Sequence, residues 1–232
     1  MVDHTAFEKK LDIVFKNKDL LTEALTHRSY LNEHPSWRLP HNERLEFLGD
    51  AVLELAVTKF LFSKFPERPE GELTSLRAAL VNTDALAEVS HGLELDRFIL
   101  LSRGEMANAG KSKKNILADA LEALIGAIYL DQNYEVAEMF IERHIISALE
   151  SILTTQKYRD PKSVFQEQAQ ARVSITPVYQ VVNEWGPDHD KRFLVGVYLK
   201  DELIATGEGA SKQEAETNAA RQGLVVRGWN KE

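Results

Sequence analysis

The chain has 232 residues, 44% hydrophobic and 28% charged, enough for one large domain or two modest ones. It contains no cysteine, which excludes a disulfide framework and a thiolate metal site. The formal net charge is −8, with −7 in residues 1–157 and −1 in residues 158–232, so any nucleic-acid function has to rest on local patches or bound cations.

The opening "MVDHTAFEKKLDIVF" has no apolar core of signal-peptide length, and no run of about 18 apolar residues follows. The expectation is a soluble, cytoplasmic chain with no membrane partner. Residues 1–150 read as almost entirely helical. Apolar positions recur at three- and four-residue spacing in "FEKKLDIVF", "LLTEALTHRSYL", "NERLEFLGDAVLELAV", "TSLRAALVNTDALAEVS", "NILADALEALIGAIYL" and "YEVAEMFIERHIISALESIL". Short breakers separate them, and "SRGEMANAGKSKKN" reads as a longer polar loop with clustered lysines. After "LTTQKYRDP" the pattern changes. "PKSVFQEQAQARV" predicts a short helix with Pro161 near its start. "PVYQVVNEW" and "KRFLVGVYLK" alternate with period two, and "ELIATGEG" gives a third strand. "SKQEAETNAARQGLVV" closes as a helix opened by the capping box Ser211-x-x-Glu214. The predicted architecture is an all-helical domain over 1–151, a linker over 152–158 and a small α+β domain of order α-β-β-β-α over 159–228, with both helices on one face of an antiparallel sheet.

Two of the helices carry an oddity. In "NERLEFLGDAVLELAV" the residues Glu43, Glu46, Asp50 and Glu54 fall on one stripe, with Leu45, Leu48, Val52 and Leu55 on an opposite arc expected to face the core. Like charges on one stripe repel, so something should compensate for them. In "NILADALEALIGAIYLD" the acids Asp119 and Glu122 lie on one side, opposite Leu117, Leu121, Leu124 and Ile128. Gly126 takes the next place on that acidic side, where a missing side chain lets another backbone or a ligand approach. If the two apolar arcs share a core, the acids converge at its rim and form a site for hard divalent cations such as Mg2+. Two such ions about 3.5–4 Å apart could activate water and stabilise the leaving oxygen of a phosphodiester. A solvated helix face explains the same pattern, and periodicity leaves both readings open. Phe47 sits on the acidic stripe as an exposed aromatic, which invites a partner.

The segment "NERLEFLGDAVLELAV" resembles the signature motif of bacterial ribonuclease III, an endonuclease specific for double-stranded RNA. "ALTHRSY", "PEGELTSLRAALVNTDALA" and "KNILADALEALIGAIYLD" are similar to further segments of that family in the same order, and residues 158–228 resemble its double-stranded RNA-binding domain. The resemblance implies metal ligands at Glu46, Asp50, Asp119 and Glu122, with Asp50 and Glu122 the most sensitive to loss. Glu43 and Glu70 match two further acids of the family's catalytic valley, whereas Glu54 has no counterpart and is assigned to the solvated face. It implies Mg2+ as cofactor with Mn2+ as a substitute, and a homodimer in which Phe47 enters a socket on a second subunit. The implied activity cuts both strands of duplex RNA to 5′-phosphate and 3′-hydroxyl ends with short 3′ overhangs, in rRNA and mRNA precursors.

For the second domain the resemblance implies contacts from Gln166, Glu167 and Gln170 to one minor groove, from His189 to the next, and from Lys212 to phosphate at the amino end of the last helix. The family commonly has two adjacent lysines there, whereas this chain has Lys212-Gln213, which suggests weaker and more salt-sensitive binding. Lys111, Lys113 and Lys114 could contact phosphate beside the acids or stay solvated. A non-catalytic duplex-RNA-binding regulator and an acidic helical adaptor are the rival classes. The first does not account for four retained ligands, and the second leaves the C-terminal module unexplained.

Overall fold

The computed structural model describes residues 4–107, 111–155, 158–187 and 190–229. They form two compact units that divide between Tyr158 and Arg159.

The first unit is helical. α1 (Thr5–Leu11) stops at Asp12, whose φ of 58° turns the chain, so the periodic run expected to reach Phe15 is helical only in its first part. α2 (Lys18–Ala24) and α3 (Arg28–Glu33) replace one expected continuous helix. Between them the backbone is engaged elsewhere. Leu25 O accepts from Leu100 N at 2.7 Å, His27 N donates to Leu100 O at 3.1 Å, and Thr26 O accepts from Asn42 N at 2.9 Å. Periodicity is blind to such non-local bonds. α4 (Glu43–Lys64) is followed by α5 (Glu70–Val81) and α6 (Thr83–Gly92). Asn82 makes the α5–α6 break: its amide donates to Ala78 O at 3.0 Å and its Oδ1 accepts from Ala85 N at 3.0 Å. One side chain thus closes one helix and caps the next.

The expected polar loop over 102–115 is a correction. It holds α7 (Arg103–Ala107), started by Ser102, whose carbonyl accepts from Met106 N at 3.0 Å and whose Oγ accepts from Glu105 N at 3.3 Å. It also holds the first turn of α8 (Lys111–Asp131). α9 (Tyr134–His144) leads through a 3-10 turn at Ile146–Ala148 to α10 (Leu149–Thr155), which runs on into the segment expected as linker.

The core is built around α8. From Ile116 to Ile128 every position is buried except Asp119 and Glu122, the profile of a helix enclosed on nearly all sides. The buried Ser90 Oγ lies 2.8 Å from Leu117 O and ties α6 to it. Asp131, at its end, accepts from Lys16 N at 2.8 Å and Asn17 N at 2.7 Å. α4 packs along α8, with Leu45 and Gly49 at the contact, and buries Val52, Leu53 and Ala56 as well. Of the expected core arc, Leu55 is 57% exposed and Leu48 only half-buried. The buried face is rotated towards the acids because Gly49, weak in any hydrophobic periodicity, sits at the closest approach, and the equally weak Ala56 is buried too. The acidic stripe therefore flanks the buried face instead of opposing it.

At that approach the two helices touch backbone to backbone. A Cβ on Gly49 would lie 1.7 Å from Glu122 O, and one on Gly126 would lie 2.3 Å from Leu45 O. These contacts are too rigid to relax locally, so a methyl group has to separate the helices.

The second unit is α11 (Pro161–Val173), β1 (Val178–Trp185), β2 (Arg192–Leu199), β3 (Glu202–Gly209) and α12 (Lys212–Arg227). The strands pair antiparallel in the order β1-β2-β3. Val197, Leu199 and Ile204 pack under Phe165 and Ala169 of α11 and Ala219, Ala220 and Leu224 of α12. As expected, Val195, Val197 and Leu199 are buried on one face, with Phe193 partly so. β1 differs: only Tyr179 is half-buried, and an irregularity between Val181 and Asn183 breaks the alternation. The capping box at α12 forms with a shift. Ser211 Oγ accepts from Glu214 N at 3.2 Å, while Glu214 reaches Ala210 N at 2.8 Å, one residue before the cap.

Gly126→Ala is expected to lower the stability of the first unit by about 1–3 kcal/mol, the usual cost of overpacking a core. Gly71→Ala, on α5 with no atom within 4 Å of the added methyl, serves as the uncrowded control and should hold or slightly raise stability. Urea denaturation of both variants checks this, and an unchanged midpoint for Gly126→Ala would contradict the close crossing.

Candidate active site

The α4–α8 crossing fixes where the acids go. Gly49 lies between Glu46 and Asp50 on α4, and its Cα faces the Glu122 carbonyl on α8. Glu46, Asp119 and Glu122 are brought together, each offering a carboxylate oxygen, with those oxygens all within 4.8 Å of one another. Asp50 is one turn beyond Glu46 and more exposed. Its oxygens are outside this trio, yet its charge acts on Glu122 more strongly than any other carboxylate does.

The trio is costly to hold ionised. Burial, then the charges of Asp50, Asp119, Glu46 and Glu54, push the Glu122 carboxyl up to about 8. Burial and then Asp119, Glu43 and Asp50 raise Glu46, while burial and Glu43 raise Asp119. Among the described residues no cation pairs with Glu46, Asp50, Asp119 or Glu122. Three converging oxygen donors, each with a raised affinity for a proton and none neutralised by the protein, with Asp50 beside them, suit a hard divalent cation.

The neighbouring acids divide differently. Glu43 is held by Arg28 at 3.4 Å and lies 3.8 Å from His41. Glu54, expected on the solvated face, is half-buried and paired with Arg77 at 2.8 Å. Glu70 accepts from Thr74 on its own helix at 3.0 Å and is not among the charges acting on the trio. Phe47 is 82% exposed beside a groove lined by Leu20, Pro40, Leu48 and Leu130. Lys114 is turned to Asp84 at 2.7 Å, so one of the three loop lysines is already paired. Lys113 is half-buried, and the Lys111 side chain lies outside the described residues. Sequence reasoning missed Gly49. Its signal was a glycine inside an apolar helix between two acids, the counterpart of Gly126.

In the second unit Gln166, Glu167 and Gln170 are exposed on one side of α11, away from the buried Phe165 and Ala169. Lys212 is exposed on the first turn of α12. His189 lies outside the described residues; β1 ends at Trp185, and Gly186 after it has a φ of +92°.

Because Glu122 binds a proton more tightly folded than unfolded, its contribution to stability has a definite sign. It is fully present below the ordinary value of 4.5 and is lost as pH rises through about 8. The metal-free protein is expected to lose thermal stability over that window, and Glu122→Gln to flatten the profile. Melting curves in EDTA across the window check it; identical profiles for the two proteins would contradict the assignment.

Comparison with known proteins identifies the family. Residues 17–149 match the family model described as ribonuclease-III-like, and residues 161–225 match the double-stranded RNA binding motif. The chain is 44% identical to ribonuclease 3 of Enterococcus faecalis over 220 residues, 95% of each chain. It is 45% identical to ribonuclease 3 of Natranaerobius thermophilus over 218 residues, 94% of each. The nuclease domain of ribonuclease III from Campylobacter jejuni is 47% identical and superposes with a TM-score of 0.57, covering 62% of this chain and 97% of that one. The two matched family models and relatives 44–45% identical over nearly the whole length place the chain in the ribonuclease III family as an endoribonuclease.

Proposed function

We propose that the chain hydrolyses both strands of double-stranded RNA with a divalent cation held by Glu46, Asp50, Asp119 and Glu122. The observation that carries this is the carboxylate trio at the α4–α8 seam, left without a cation by the protein itself. Mg2+ is the expected ion, with Mn2+ as a substitute, since every donor is an oxygen. A bound ion there supplies a lowered pKa for water and a counter-charge for the leaving oxygen. The residues do the rest. Glu122 would have to be ionised to hold the ion, Glu46 and Asp119 would complete the converging oxygen set, and Asp50 would join them from one turn further along α4. Glu43 and Glu70 are accessory acids. The proposed products carry 5′-phosphate and 3′-hydroxyl ends with short 3′ overhangs, and the proposed substrates are rRNA and mRNA precursors in the cytoplasm.

One chain offers one carboxylate cluster, whereas a duplex has two strands. A two-fold homodimer resolves this by supplying two sites. Phe47, with the adjoining groove, is the proposed anchor, because an aromatic so exposed beside a concave surface of Leu20, Pro40, Leu48 and Leu130, rimmed by Glu23, His41, Glu43 and Arg44, suits a self-complementary contact. The Campylobacter jejuni nuclease domain is itself described with a region involved in dimer formation. Gln166, Glu167, Gln170, His189 and Lys212 are the proposed RNA contacts of the second unit.

Glu122→Gln keeps the shape and removes one ligand charge, so cleavage of long duplex RNA with Mg2+ should fall by orders of magnitude while duplex binding persists. A mutant that cuts near the wild-type rate defeats the metal-site assignment. Phe47→Asp should convert the dimer to monomers in sedimentation and abolish paired double-strand cuts; an intact dimer would remove Phe47 as anchor.

A further inference from the structure

The departure Lys212-Gln213 leaves the amino end of α12 with one lysine where two adjacent ones are common. The structure supplies a second ammonium group from a distant place in the sequence. Lys191 precedes β2 and Lys212 opens α12, yet the Nζ of each lies 5.8 Å from the centroid of the same ring, Phe193. Phe193 is half-buried at the start of β2, which limits its freedom to move. An aromatic face attracts ammonium groups through its quadrupole, and one ring holds both charges in one neighbourhood at the start of a helix.

The two lysines are not equivalent. Among the described residues no carboxylate pairs with Lys212. Lys191 is paired with Glu184 of β1 at 3.0 Å, and both side chains are well exposed. An exposed pair of this kind is weak and screened by salt, so a phosphate can take the ammonium from it. Glu184 then acts as a placeholder that partly cancels Lys191 in the free protein.

Resting on the duplex-RNA reading of the second unit, we propose that Lys191 is a further phosphate-binding residue, held beside Lys212 by Phe193, and that Glu184 competes with RNA phosphate for it. Lys191 thereby takes the place of the adjacent second lysine. Recognition is of the phosphate backbone and carries no base preference.

The test measures binding of the full-length protein to a short RNA duplex in EDTA, which prevents cleavage, over a series of salt concentrations. Lys191→Ala should weaken binding about three- to tenfold and reduce the slope of log affinity against log salt by roughly one, as for loss of one phosphate contact. Lys191→Gln, which keeps an aliphatic stem against Phe193, should show the same loss, and Lys191→Arg should restore the slope. Glu184→Gln should tighten binding in the wild-type background and change nothing when Lys191 is Ala. A wild-type slope for Lys191→Ala, alongside a weakened Lys212→Ala, overturns the role of Lys191 and leaves the duplex-RNA reading intact. A gain from Glu184→Gln that persists without Lys191 overturns the competition. A wild-type protein that retains no duplex even at low salt overturns the duplex-RNA reading and the Lys191 role together.

Discussion

The candidate site depends on one contact, the backbone-to-backbone crossing of α4 and α8 at Gly49 and Gly126. Two helices with ordinary side chains at the crossing stay about 8–10 Å apart, axis to axis. Glycines on both sides let Glu122 O and Leu45 O approach the facing helix, and the side chains next to them follow. Those side chains are Glu46, Asp119 and Glu122. The crossing is otherwise apolar, so the seam that excludes water also raises the cost of each charge beside it. The raised carboxyl of Glu122 is the electrostatic consequence of that packing. A cation would relieve the repulsion that the apo protein meets with a proton.

This arrangement also reconciles an acidic protein with a polyanionic substrate. Residues 1–157 carry −7, and the carboxylates at the seam would repel RNA if left bare. Surrounding acids are partly neutralised within the protein: Glu54 by Arg77, Glu43 by Arg28. The four proposed ligands are not. Affinity for RNA is expected to come from the second unit and chemistry from the first. The second unit is itself near neutrality, so its few cations have to be gathered rather than numerous.

Much of the architecture was legible in the sequence. The two acid-bearing helices, the exposure of Phe47 and the α-β-β-β-α order follow from residue spacing, because burial imposes the periods on which such reading depends. What escaped had non-local causes. The break at Thr26 exists because the backbone there bonds to Leu100 and Asn42, far away in the chain. The break at Asn82 depends on a side chain serving two helices, where apolar spacing continues undisturbed. The core arc of α4 was misplaced because glycine and alanine contribute little to a hydrophobic pattern while deciding how closely helices pack. β1 alternates in sequence but packs chiefly through Tyr179, since α12 lies against β2 and β3.

The most direct measurement is of protons released when the metal binds. Calorimetric titration of Mg2+ or Mn2+ into the metal-free protein, in buffers of different ionisation enthalpy near pH 6.5, reports both the binding and the proton count. With Glu122 held up at about 8, the free site is mostly protonated there, and each binding event should expel close to one proton, a release that Glu122→Gln abolishes. Binding without proton release, or release unchanged in Glu122→Gln, would contradict a cation site built on the carboxylates of the α4–α8 seam.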